Sequence, residues 1–465
     1  MFSLFSLLLQ PELCLILYFI QTMFKHFLSV ILLLAVSTLA WAERVDMKQA
    51  GAKTDGKTIN TRLINRTIER LEKQGGGTLF FPAGRYLTGP IHLKSNITLE
   101  LEAGATLLFS TNFDDYLPFV EVRHEGVMMK SFSPLIYAVD AENITIKGEG
   151  TLDGQGKAWW DEFFKVLVDL RDNGKRDVNK YQPMFEKAND VAQIAAETNE
   201  DWHGTLDRRF FRPPFIQPIR CKNVRIEGVK IINSPFWTVN PEFCDNVTVD
   251  GVTIHNVPSP NTDGINPESC RNVHISNCHI SVGDDCITIK SGRDLQARKL
   301  GAACENITIT NCTMLSGHGG VVIGSEMSGG VRRVTISNCV FEGTDRGIRL
   351  KSTRGRGGVV EDIRVSNIVM KDIKKEALVF NLKYSKMPQE PVSDRTPVFR
   401  NIHISGVTVN GVQTPIKFVG LEEAPITDIV LRDIQIKDGK EPNIFQDCEG
   451  IIMDNVMVNG EKAAL

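Results

Sequence analysis

The chain has 465 residues, 42% of them hydrophobic and 23% charged, with a formal net charge of −3 at neutral pH. So even a balance excludes a global field that would draw the protein onto nucleic acid or a membrane surface. The length would ordinarily imply more than one domain, unless the fold grows lengthwise.

In chain order, residues 1–22 carry one acid, Glu12, and no base, a poor start for a secretory leader. From Met23 the order becomes regular: Lys25 and His26, an apolar run from Phe27 to Leu39, then Ala40-Trp41-Ala42 as a small-residue cleavage site. The expectation is a signal region over 1–42, with Met23 as the true start and cleavage after Ala42. That sends the mature chain outside the cell or to the periplasm. The apolar run is too short to span a bilayer comfortably, so no stable membrane insertion is expected after cleavage, and no lipobox-like small residues precede Cys14.

Residues 43–110 read as an N-terminal cap. Ile59, Leu63, Ile64, Ile68 and Leu71 follow helical spacing, and Gly75-Gly76-Gly77 stops the helix. Residues 157–215 form a charged, partly helical insertion rich in aromatics, including Trp159, Trp160, Phe163, Phe164, Trp202, Phe210 and Phe211. Such insertions gather on one face of a solenoid, and this one reads as a wall beside the Asp263 end of the site described below.

A short template then recurs: Asn246-Val-Thr-Val-Asp-Gly-Val, Asn272-Val-His-Ile-Ser-Asn-Cys, Asn306-Ile-Thr-Ile-Thr-Asn-Cys, Arg333-Val-Thr-Ile-Ser-Asn-Cys and onward to Gly450. From Asn223 the repeat starts lie 23, 26, 34, 27, 29, 39, 27 and 22 residues apart. Alternating apolar residues on such a period, with no long helices between, predict an all-β fold: a right-handed, single-stranded parallel β-helix over 43–465, whose coils share one core. Cys278, Cys312 and Cys339 hold one repeat position and read as a buried stack of small side chains. The Asn-x-Thr triplets at Asn96, Asn143, Asn246 and Asn306 coincide with repeat starts, so turns and side-chain ladders explain them better than glycosylation.

This architecture converts spacing into distance, because equivalent positions on adjacent coils lie one strand spacing apart, ~4.8 Å. Aligning Asp263-Gly-Ile, Asp285-Cys-Ile, Gly319-Gly-Val and Arg346-Gly-Ile puts Asp263 and Asp285 in one column. Asp284 and His318 share the adjoining column, and Arg349 and Lys351 project from one face of a later strand. Three carboxylates, an imidazole and two cations thus converge on one outer face.

The motifs Asn261-Thr-Asp-Gly264, Gly283-Asp-Asp-Cys286, Gly317-His-Gly319 and Arg349-Leu-Lys351, in this order on a β-helical repeat, resemble the polygalacturonases, glycoside hydrolase family twenty-eight. The likeness covers essentially the whole mature chain. One departure is Leu350, where the family often has isoleucine. The resemblance implies inverting hydrolysis of α-1,4-galacturonosidic bonds in pectin or its oligomers, without metal or organic cofactor. It also implies a substrate contact for Tyr384, and its bacterial members include exo-acting enzymes. An inverting glycosidase needs a protonated carboxyl for the leaving oxygen and a carboxylate to activate water, with ~6.5–9.5 Å between them. Asp284, crowded by two like charges, is expected to keep its proton and act as acid, with Asp263 and Asp285 as the base couple, as in the family. His318 would share the proton of Asp284. Arg349 and Lys351 would hold a substrate carboxylate. Asn261 joins the substrate-binding set, though shaping the turn that presents Asp263 is its stronger reading. Release of monogalacturonate from the non-reducing end is expected over internal cleavage. Endo-acting or rhamnogalacturonan-type hydrolysis, a calcium-dependent β-eliminating lyase and a non-catalytic glycan-binding solenoid remain as alternatives. Product absorbance, calcium dependence and release of reducing ends separate the last two.

Overall fold

The computed structural model describes residues 18–26, 43–173, 180–198, 210–384 and 390–464, and all structural statements concern these. The chain divides into two units, Met1–Glu43 and Arg44–Leu465. Of the first, residues 18–26 are helical, while the apolar run and cleavage site expected over 27–42 lie outside the described residues, as does Trp202. No helix among the described residues is long and apolar enough to cross a membrane.

The second unit is a right-handed parallel β-helix, wound from short strands that pair coil to coil. Strand Lys222–Glu227 shows the rule: Val224 and Ile226 are buried, while Asn223 and Arg225 are exposed. Parallel pairing then stacks like on like. Val224, Val247, Val273, Ile307 and Val334 form one inward file. Ile265, Ile287, Val321, Ile348 and Leu378 form another. The files merge into one continuous core running from Met47 to Val456. Each buried aliphatic side chain adds roughly 1.5–3 kcal/mol that a single coil could not collect alone.

Repeat starts need a backbone that turns sharply, and here asparagine adopts left-handed φ, for example 58° at Asn143, 55° at Asn223 and 59° at Asn246. Their amides bond along the axis, Asn143 to Asn96, Asn223 to Asn143 and Asn246 to Asn223, each at 2.8 Å. The nine described cysteines are free thiols, and eight of them are buried, Cys278, Cys312 and Cys339 included.

Helix Thr61–Lys73 buries Ile64, Thr67, Ile68 and Leu71 at the start of the coil stack. Ile59, expected on this helix, instead ends strand Asp55–Ile59 and is 49% exposed. Gly76 ends the helix at φ 129°, where a Cβ would meet Asn96 at 2.5 Å.

Two elements leave the repeat. Strands Val120–His124 and Val127–Ser131 form an antiparallel hairpin, turning at Glu125 (φ 46°) and Gly126 (φ 84°). The insertion contributes helices Lys157–Asn173, Gln182–Ala188 and Val191–Glu197. Phe185, Ile194 and Phe211 of the insertion pack with Val122, Val127 and Met129 of the hairpin in a second small core. Arg123 anchors the hairpin on the solenoid. It is 1% exposed and reaches Glu242 at 3.1 Å and Glu268 at 3.6 Å, acids paired on successive coils.

Candidate active site

The columns expected from the repeat are the columns observed. Ile265 pairs with Ile287 and Asp285 with Gly319, which puts Asp263 beside Asp285 and Asp284 beside His318 on neighbouring coils. Oxygens of Asp263, Asp284 and Asp285 lie within 4.8 Å of one another. Asp284 and Asp285 are neighbours in sequence, whereas Asp263 meets them across one coil ladder.

The acids differ in environment. Asp285 is 1% exposed and bridges Arg349 at 3.3 Å and Lys351 at 2.7 Å. Burial alone would raise its pKa, but Lys351 and Arg349 outweigh burial and hold it at about 2. Gly319, next in its column, has no side chain, so Arg349 can lean across it. Asp263 is also buried, and its nearest cation, Lys290, stands 3.9 Å away. Burial, then the Asp284 charge, pushes Asp263 well above the usual carboxylate range. Asp263 is thus the acid that combines burial with like-charge crowding and has no close counter-ion. Asp263 and Asp285 are thus an unlike pair rather than a matched couple. Asp284 is the more open acid, its side chain 18% exposed. It accepts the Asp285 backbone N–H at 2.9 Å and lies 3.1 Å from His318 Nδ1. That contact with Asp284 raises the His318 pKa. Gly317 permits the approach, since a Cβ there would strike the Asp284 carbonyl at 2.5 Å.

Asn261 adopts φ 53°, and its side-chain oxygen accepts from Arg212 at 2.8 Å. Arg212 also donates to the carbonyls of Pro235 and Pro260 and lies over the Phe163 ring at 4.1 Å, so it clamps the turn before Asp263. Asn261 also lines the cleft, as do the three aspartates, His318, Arg349, Lys351 and Tyr384. The ring of Tyr384 is 5.3 Å from the Arg349 guanidinium and 5.2 Å from the Lys351 ammonium. The structure thus brings every residue expected from the sequence into one cleft of about 620 Å³.

Sequence reasoning missed Lys290, Trp237, Glu326 and Arg212. Lys290 follows Asp285 by five residues as Lys351 follows Arg346, so the same alignment places both in one column. Trp237 likewise precedes Val239 as Asp263 precedes Ile265. Glu326 comes from a loop outside the repeat and pairs with Lys290 at 2.7 Å, and it left no periodic signal. Among the described residues of the insertion no side chain lines the cleft, whereas Glu125 of the hairpin tip does. Glu125 pairs with Arg293 at 3.5 Å, and the Arg293 N–H donates to the Gly126 carbonyl at 3.2 Å. The insertion stands behind that hairpin because its aromatics pack on the hairpin's apolar face.

The three acids are close enough to converge on one cation. However, Arg349 and Lys351 already occupy Asp285, and Lys290 faces Asp263, so the chain's own cations balance these acids.

A solenoid groove that presents unlike carboxyl groups beside cations is the site of a carbohydrate-cleaving enzyme, a glycoside hydrolase. The chain belongs to glycosyl hydrolases family 28, whose pattern matches residues 199–455. A protein named "Probable polygalacturonase" from Vitis vinifera is 30% identical over 425 residues, covering 88% of this chain and 78% of that one. An endo-polygalacturonase from Pectobacterium carotovorum subsp. carotovorum is 30% identical across 76% of this chain and 78% of its own. The crystal structure of a hyperthermoactive exopolygalacturonase from Thermotoga maritima superposes with a TM-score of 0.76 at 37% identity, covering 89% of this chain and 92% of that one.

The two buried acids should respond oppositely to replacement. Asp263 binds its proton more tightly folded than unfolded, so its contribution to stability is present below the unfolded pKa of ~3.9 and declines as pH rises. Asp263→Asn is therefore expected to melt higher than the parent near pH 8, with the gap closing toward pH 4. Asp285 is depressed to about 2, so its contribution is present above the unfolded value and is lost as pH falls through about 2. Asp285→Asn strands two buried cations and should cost about 3–5 kcal/mol at neutral pH. Thermal unfolding across pH reads both, and shifts of the same sign would refute the unlike pairing.

Proposed function

We propose that this hydrolase cleaves α-1,4-galacturonosidic bonds of polygalacturonate or its oligomers, releasing monogalacturonate from the non-reducing end. The observation that carries the reading is the ionised Asp285, held by Arg349 and Lys351, within reach of Asp284 and a neutral Asp263. Substrate lies along the columns with its scissile bond over these acids. Asp284, open to the cleft, donates its proton to the leaving oxygen as the C1–O bond breaks. Asp285 takes a proton from the water that attacks C1, and Asp263 holds that water by a hydrogen bond. Asp285 then releases the proton it gained to solvent, and His318 returns one to Asp284, which resets both acids for the next turnover. Arg349 and Lys351 divide their charge between Asp285 and the uronate on the leaving side, and Tyr384 packs against that sugar. The reading includes inversion at C1, and its check is the β-anomer as first product by NMR.

Removing the donor tests the chemistry. Asp284→Asn should keep the melting temperature and substrate affinity and reduce kcat by ~10²–10⁴-fold or more, the range that proton donation supplies. Near-normal kcat would remove Asp284 from the role. Chelation of divalent metal with EDTA should leave the rate unchanged, whereas a calcium-dependent lyase would stop and would form an unsaturated, ultraviolet-absorbing product.

End-on cleavage is supported by the hairpin tip. Glu125 lines the cleft and pairs with Arg293, so an element outside the coil stack intrudes on the groove that an internal segment of polymer would occupy. Viscosity of polygalacturonate should fall slowly relative to the release of reducing ends, with monomer as the first product. A rapid viscosity loss with mixed oligomers would establish internal cleavage instead.

Export is part of the same reading, since the polymer is extracellular. Residues 1–42 act as the leader, and amino-terminal sequencing of the exported chain should begin at Glu43. A retained leader would refute it.

A further inference from the structure

The cleft is charged unevenly along its length. At the hairpin end its cations are matched: Lys290 and Arg293 face Glu326 at 2.7 and 3.8 Å, and Arg293 also faces Glu125 at 3.5 Å. Toward the later coils each acid is shared. Asp285 serves both Arg349 and Lys351. Glu376 serves Arg346 at 2.8 Å and Lys417 at 3.4 Å. Asp345 serves Lys375 at 2.8 Å and Lys374 at 3.7 Å. Among the described residues that line the cleft, Arg346, Arg349, Lys351, Lys375 and Lys417 thus face Asp285, Asp345 and Glu376, whereas Lys290 and Arg293 face Glu125, Asp263 and Glu326. Surplus positive charge therefore lies toward the later coils.

Lys417 occupies a defined place in this gradient. Arg349 pairs with Val379, and Val379 pairs with Lys417, so Lys417 stands in the Arg349 column two coils on. Two strand spacings are ~9–10 Å, and a 1,4-linked pyranoside advances its chain by a length comparable with one coil. The Lys417 side chain is 32% exposed and lines the cleft, and its one ion-pair partner among the described residues, Glu376, is more closely bound to Arg346. Val379 between the two columns brings no charge. A polyanion leaving the catalytic acids along this file meets Arg349 and Lys351 first and Lys417 next.

We propose that Lys417 binds the carboxylate of a sugar beyond the first one on the leaving side, so that longer oligomers gain an ionic contact that a dimer cannot reach. Glu376 restrains the ammonium in the free enzyme and competes with that carboxylate. The inference rests on the proposed galacturonan hydrolysis and adds to it a residue that grades substrates by length.

The test uses the full-length enzyme with di-, tri- and tetragalacturonate. Lys417→Gln should leave kcat/KM on the dimer unchanged and raise KM for the trimer or tetramer by about tenfold or more, the loss of one charge-assisted contact, with kcat nearly constant. Glu376→Gln, checked for an unaltered melting temperature, should act in the opposite direction and lower KM for the same longer oligomers. Equal losses on dimer and tetramer, no loss on either, or weaker long-oligomer binding in Glu376→Gln would each overturn the proposal and leave the pair a structural one. A parent enzyme that cleaves none of these oligomers would instead refute the hydrolase reading, and this inference with it.

Discussion

Between Ile265 and Ile287, and again between Ile287 and Val321, backbone ladders hold neighbouring coils at one strand spacing, and the outward side chains must follow that spacing. Asp263 and Asp285 are neighbours for this reason, although 22 residues separate them in sequence. The same ladder leaves their side chains no freedom to move apart, so repulsion between carboxylates has to be relieved by protonation or by cations. Both remedies are present. Asp285 takes two cations and stays ionised, while Asp263 lacks a close one and keeps its proton. A backbone constraint thus determines the protonation pattern of the site.

That pattern rests on burial as much as on distance. Lys290 is 3% exposed, lies against the Trp237 ring at 4.6 Å and pairs with Glu326. Burial alone would lower the Lys290 pKa, but Glu326, Asp263 and Asp285 raise it, so it stays charged while directed only partly at Asp263. Were Lys290 free of Glu326, it would draw Asp263 toward ionisation and restore two like charges side by side. Glu326, which contributes nothing to the repeat, therefore bears on the difference between the two acids.

What was legible in the sequence follows from periodicity. The coil register, the inward files and the columns of Asp263, Asp284, Asp285, His318, Arg349 and Lys351 were readable because one error in alignment would have moved apolar residues outward throughout. Lys290 and Trp237 obey the same register, and following the Lys351 column back to the Asp285 coil and the Asp263 column back one coil would have found them. Glu326, Arg212 and the hairpin were illegible because they depart from the period, and spacing says nothing about where a loop returns. The raised Asp263 was not anticipated for a different reason: counting neighbouring charges predicts crowding, while burial and the direction of the cations decide how strongly each acid feels it.

The departures from the period also bring to the cleft an element that is not a coil. A stack of identical coils presents a trough open along its whole length, since every coil offers the next the same face. An element outside the stack has no ladder to hold it, and the 120–131 hairpin relies on two attachments instead. Its apolar face shares a small core with the insertion, and Arg123 is buried between Glu242 and Glu268 in a position a one-residue slip would not reproduce. A buried cation between two acids is a weak source of net stability, but it strongly penalises any other placement. Glu125, two residues on, inherits that placement in the lining of the cleft, so its pairing with Arg293 depends on an ion cluster that lies outside that lining.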